Sequence, residues 1–95
     1  MTEYRTHIRI IADILDTARE YSYEGGDNGA TVTHLIRKAN VPHRRLSSLV
    51  STLKASGLLH ELPEESKYRI SEKGMEFLKN YQQFKGLAEG FGLRI

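Results

Sequence analysis

Residues 41–59 read Val41-Pro42-His43-Arg44-Arg45-Leu46-Ser47-Ser48-Leu49-Val50-Ser51-Thr52-Leu53-Lys54-Ala55-Ser56-Gly57-Leu58-Leu59, and their spacing decides the fold. At ~100° per residue, Leu46, Leu49, Val50 and Leu53 gather into one arc of a helix. Arg44, Ser48, Ser51 and Ala55 fall opposite that arc, flanked by Arg45, Ser47 and Thr52. The pattern predicts a helix over residues 42–56. Pro42 starts it at a position that needs no N–H, and Gly57 ends it. Its outward face carries no acid and no bulky apolar group, whereas surfaces ordinarily intersperse both signs of charge.

Working outward, residues 31–39 form a shorter helix with Val32, Leu35, Ile36 and Ala39 facing in. The Thr31 hydroxyl is placed to cap its start, and Asn40 tolerates the left-handed conformation that ends a helix. Two helices with so short a connection cross steeply. On the other side, residues 58–62 read as a strand, Pro63-Glu64-Glu65-Ser66 as a turn, and Lys67–Ile70 as a second strand. Ser71 caps a last helix running from Glu72 to about residue 83 or beyond, in which Met75 and Leu78 pack on the domain. Residues 4–21 form an amphipathic first helix with Tyr4, Ile8, Ile11, Leu15 and Ala18 along its stripe, widened by Ile14. Residues 21–29 read as a loop. The expected fold is mainly α with a small two-stranded β-ribbon, ordered helix-helix-helix-strand-strand-helix.

Ninety-five residues make one small domain. The absence of cysteine excludes a disulfide framework, thiol catalysis and sulfur-ligated zinc. No apolar run approaches the ~20 residues of a membrane helix, and the first residues lack a signal-peptide layout. A soluble cytoplasmic protein is expected. The formal net charge is only +2, but its distribution is uneven. Residues 28–60 contain no Asp or Glu, while Arg37, Lys38, Arg44, Arg45 and Lys54 give that stretch a formal charge of +5. A contiguous basic third on an otherwise slightly acidic chain is the electrostatic footprint of a polyanion-binding protein.

Residues 41–59 resemble the recognition-helix segment of winged helix-turn-helix regulators, which commonly read apolar-Ser, then apolar residues and two leucines, then a Gly-Leu-Ile ending. Tyr68-Arg69-Ile70-Ser71-Glu72-Lys73-Gly74-Met75-Glu76-Phe77-Leu78 is similar to the wing-to-helix junction of the same families, typically Tyr-x-Leu-Thr-x-Lys-Gly and an apolar pair. The resemblance covers residues 31–78 and implies a winged helix-turn-helix domain over residues 4–78. In layout the chain looks like small archaeal DNA-binding proteins whose long C-terminal helix pairs antiparallel with its copy; residues 72–91 would be that element. Two departures stand out. Pro42 replaces the usual Ser or Thr cap, and the wing tip is Pro63-Glu64-Glu65 where minor-groove wings present Arg or Lys. Carboxylates repel phosphates, so this tip is not expected to insert.

The implied partner is double-stranded DNA, with the 42–56 helix in the major groove. Arg44 and Arg45 lie in its first turn, the part of a recognition helix that usually meets base edges, and arginine bonds guanine bidentately. Ser47, Ser48, Ser51 and Thr52 let the helix approach closely. Thr31 and Thr33 at a helix N-terminus, with Arg37, Lys38, His43 and Lys54, are expected on phosphates; Lys67 and Arg69 at the ribbon base also reach the backbone. Phe77, Tyr81, Phe84, Ala88 and Phe91 follow heptad steps along the last helix and are expected to form a homodimer seam.

No cofactor is implied. Gly25-Gly26-Asp27-Asn28-Gly29 lacks the Lys-Ser/Thr pair of a phosphate-cradling loop, and no Gly-x-Ser-x-Gly elbow occurs. Asp13 and Asp16 read as solvated, and His34, His43 and His60 lack metal-ligand spacing. The chain is not expected to be an enzyme. The alternative is a winged helix used as a protein-interaction module in a transcription or replication assembly, favoured by Glu64-Glu65 and the aromatic stripe.

Overall fold

The computed structural model describes residues 6–24 and 29–95. The chain runs α1 (His7–Arg19), a π-helical turn (Glu20–Glu24), β1 (Ala30–Thr31), α2 (Val32–Ala39) and α3 (His43–Ala55). There follow β2 (Leu59–Leu62), a 3-10 turn (Pro63–Glu65), β3 (Lys67–Ile70) and α4 (Glu72–Gly90). The side chains of Ile14, Leu15, Leu35, Leu46, Leu59 and Ile70 are fully buried. They come from five different elements, so each apolar stripe meets the others in one core. Burying an aliphatic side chain of this size is worth about 1.5–3 kcal/mol, so this core supplies the main driving force for the arrangement.

The sheet has three strands, not the two of the expected ribbon. β2 pairs antiparallel with β3 from Leu59 opposite Ile70 to Leu62 opposite Lys67. β1 adds to the free side of β3, Ala30 opposite Tyr68 and Thr31 opposite Lys67. Two residues leading directly into a helix show no alternation, which is why periodicity misses them. The loop expected from residue 21 is also tighter than a loop through Glu24. There α1 widens into the π turn, in which the Ser22 hydroxyl donates to the Ala18 carbonyl and accepts from the Ile70 N–H at 3.4 Å. Gly25-Gly26-Asp27-Asn28 and Tyr4 lie outside the described residues.

α1 begins at the Thr6 cap, whose hydroxyl accepts from the Arg9 N–H. Its stripe is wider than expected, with Ile10, Ala12 and Thr17 buried beside Ile11, Ile14, Leu15 and Ala18. Ile8, in the first turn, is instead 37% exposed. α4 lies antiparallel along α1. Arg19 sits beside Met75 and Lys79 at one end, and Arg9 beside Tyr81 and Lys85 at the other. Leu78 is buried in this contact, while Met75 faces out at 39% exposure and does not join the core. Asp13 and Asp16 are half-buried rather than solvated, and Asp16 holds Arg19 at 2.9 Å.

The junction of α3, the ribbon and α4 is tied at Ser71. Its hydroxyl donates to the Gly57 carbonyl at 2.6 Å and accepts from the Gly74 N–H at 2.9 Å. The Ser71 N–H donates to the Leu58 carbonyl. Gly57 closes α3 at φ +79, a conformation side chains resist. Gly74 packs so closely that a Cβ there would stand 2.4 Å from the Leu58 carbonyl oxygen. This is the physical meaning of the Lys73-Gly74 step in the junction motif.

Candidate nucleic-acid interface

The α2–α3 unit is oriented by its caps. Thr31 accepts from the His34 N–H at 3.2 Å, and the Thr31 N–H donates to His34 Nδ1 at 3.1 Å. This is a capping box with histidine where glutamate or glutamine is usual. The imidazole also stacks on Tyr21, ring centroids 3.9 Å apart and planes 7° from parallel. Sequence reasoning placed His34 only in the basic stretch; the Thr-x-x-His spacing was the available signal. Asn40 ends α2 at φ 54 and ψ 49, its N–H donating to the Ile36 carbonyl. Pro42 then stands one residue before α3, not in its first turn, and supplies no side-chain cap. Among the described residues no side chain covers the first N–H groups of α3, so their partial positive charge stays outward.

α3 is turned as its spacing requires. Leu46, Leu49, Val50 and Leu53 are each at most 5% exposed. His43, Arg44, Arg45, Ser47, Ser48, Ser51, Thr52 and Lys54 are all exposed. Arg37 and Lys38 are exposed in the last turn of α2, across the Asn40 turn from Arg44 and Arg45. Among the described residues none of these four cations has an ion-pair partner. Lys54, at the far end of α3, is different: it forms an ion pair and hydrogen bond with Glu61 of β2. That bond is the main reason its ammonium holds its proton beyond the usual lysine range. Thr33 is exposed, Lys67 is half-buried at the ribbon and Arg69 is exposed on β3.

The hydroxyls of α3 divide. Thr52 donates back to the Ser48 carbonyl at 3.1 Å and Ser56 to the Thr52 carbonyl at 2.8 Å. Ser47 and Ser51 make no such bond among the described residues. Both face a shallow groove of about 120 Å³ between α3 and β3, floored by Val32, Leu46 and Val50 and rimmed by Ser47, Ser51, Lys54 and Tyr68. Beyond it, Glu64 and Glu65 are exposed on the 3-10 turn at the ribbon tip.

The profile of the winged helix-turn-helix family matches residues 4–89. The chain belongs to that family. Membership points to DNA binding, and such domains are typically not enzymes. No curated protein matches the chain. In this winged helix-turn-helix domain no helix of the described residues is long and apolar enough to cross a membrane. Among those residues, no three His, Asp or Glu side chains gather as a metal would need.

The expected seam on α4 is split by the fold. Phe77 and Tyr81 are half-buried against the chain's own core, and burial pushes the Tyr81 phenol above its usual range. Ala88 is 4% exposed, at the start of a closing turn in which the Leu93 N–H returns to its carbonyl. Phe84 and Phe91 remain open, as do Leu87 and Leu93, which the heptad reading did not include.

Proposed function

We propose that this winged helix-turn-helix protein binds double-stranded DNA with α3 in the major groove, as a transcriptional regulator or a small chromatin protein. The observation that carries the reading is the exposed, acid-free face of α3. Arg44 and Arg45 there have no ion-pair partner among the described residues, and Arg37 and Lys38 lie just across the turn. Cations without a partner in the free protein are available to neutralise phosphates and release the counterions condensed on a duplex. Arginines in a first turn with outward N–H groups suit both phosphate and guanine edges. Ser47, Ser48 and Ser51 keep the rest of the face low, and Thr33 and His43 add donors at its margins.

Thr31 and Thr52 hold their neighbours in place while facing the same duplex. Lys67 and Arg69 approach the backbone from the ribbon, and the acidic tip of Glu64 and Glu65 stays outside the groove. The protein works as a homodimer, because Phe84, Leu87, Phe91 and Leu93 are each more than half exposed on so small a surface. A second copy covers them, and Phe77, Tyr81 and Ala88 support the seam from beneath. Two recognition helices then face one duplex or bridge two.

Fluorescence anisotropy of a labelled duplex between 50 and 200 mM salt tests the DNA reading. The four unpaired cations alone contribute about −3.6 per subunit to the slope of log K against log salt, and contacts from Lys67 and Arg69 steepen it further. Salt-insensitive anisotropy, or none, rejects it in favour of a protein-interaction module. Sedimentation equilibrium at micromolar concentration should give twice the chain mass; a monomer mass rejects the dimer.

A further inference from the structure

We infer that the groove between α3 and the ribbon is a phosphate subsite, and that Glu61 is its built-in competitor, holding Lys54 until a backbone phosphate of nucleic acid displaces it. The inference rests on the DNA reading and adds a residue of the wrong charge to it. Three features of the groove converge. The hydroxyls of Ser47, Ser51 and Tyr68 rim one concavity with Lys54 and make no hydrogen bond among the described residues. By contrast, those of Thr52 on the same helix and of Ser56, which closes it, are spent on backbone carbonyls. Hydroxyls left open beside an ammonium are the donor set an oxyanion needs.

The second feature is the present occupant of Lys54. Glu61 reaches across from β2 with a carboxylate oxygen, so the ammonium already serves an oxyanion from within the chain. The third is exposure. The Lys54 and Glu61 side chains are 40% and 35% accessible, and an exposed pair of this kind is weakly held. A phosphate of the duplex, arriving with α3, can take the ammonium because the charge density of the duplex and the release of its counterions favour the exchange over one half-solvated carboxylate. Glu61 then faces the same phosphate, and its charge cancels what Lys54 gains. In the wild-type protein Lys54 therefore adds nothing to the counterions released.

The test is a set of anisotropy titrations between 50 and 200 mM salt, using wild type, Glu61→Gln, Lys54→Met and the double variant. Glu61→Gln should bind duplex about three- to tenfold more tightly at 50 mM, with a slope steeper by about 0.9. The double variant should return to the wild-type slope, because the gain needs Lys54. Glu61→Thr, a strand-former at this edge, should repeat the gain if glutamine perturbs the ribbon. Wild-type affinity and slope in both Glu61 variants overturn the inference and leave the DNA reading standing. An equal gain with and without Lys54 overturns it too, since Glu61 would then be acting only as a distant like charge. A wild-type protein whose binding ignores salt removes both readings at once.

Discussion

α3 and α4 are both amphipathic helices, and each buries one face on the same core. What they leave outside differs. α3 exposes arginines and serines with no acid among them, whereas α4 mixes Glu, Lys and Gln in its first turns and ends in open aromatic and aliphatic side chains. Hydrophobic burial explains the inner faces of both and says nothing about the outer ones. The cations of α3 repel one another in the free protein and gain only when a polyanion arrives, while the apolar end of α4 gains only when something apolar covers it. One chain thus carries two surfaces suited to different partners, set apart on separate helices.

The sharpest way to break that contrast is to remove the charge from α3. Arg44→Ala with Arg45→Ala should weaken duplex binding by about 2–6 kcal/mol, at 1–3 for each arginine. The thermal midpoint should hold, because both side chains are exposed and unpaired among the described residues. Next comes the joint that aims the two helices. In Gly74→Ala the methyl must push away the Leu58 carbonyl, and overpacking of this kind costs about 1–3 kcal/mol; urea unfolding should show a stability loss towards the upper end of that range. A stable Gly74→Ala protein would mean that the close approach of α4 to the Leu58 backbone is not required.

A smaller effect is expected at the α2 cap. His34→Ala removes half of the capping box and the stack on Tyr21, worth about 1–2 kcal/mol together. For a domain of this size that lowers Tm by roughly 4–16 °C, and an unchanged Tm would reduce the box to a surface detail. The smallest concerns Tyr81. Burial raises its phenol in the folded chain, with Arg9 opposing. The folded state therefore binds that proton more tightly than the unfolded one. This share of stability is complete below the ordinary tyrosine range near pH 10 and is lost as pH rises through the raised value. Tyr81→Phe should flatten the alkaline decline in stability; an identical decline would place its cause in other groups.

Much of this architecture is legible in the sequence because it rests on periodic burial and on residues with special backbones. The stripe of α3, the left-handed Asn40, the Gly57 stop and the Ser71 cap all follow from local rules and all appear in the structure. What escapes is cooperative. β1 exists only because β3 offers a free edge two residues long. His34 looks like one more basic residue until Tyr21 is brought across it by the π turn. Lys54 counts as a free cation until the ribbon carries Glu61 to it. The heptad along α4 is real as a spacing, yet the packing of α1 takes Phe77 and Tyr81 for the core and leaves Phe84 and Phe91 outside.

The central claim is that duplex DNA is held by the cations flanking the α2–α3 turn, and it is most directly tested by the salt slope of the arginine-deleted protein. Titrated beside wild type, Arg44→Ala with Arg45→Ala should lose two contacts, its slope becoming shallower by about 1.8 per subunit. Two parallel lines, with the slope unmoved, would contradict the account.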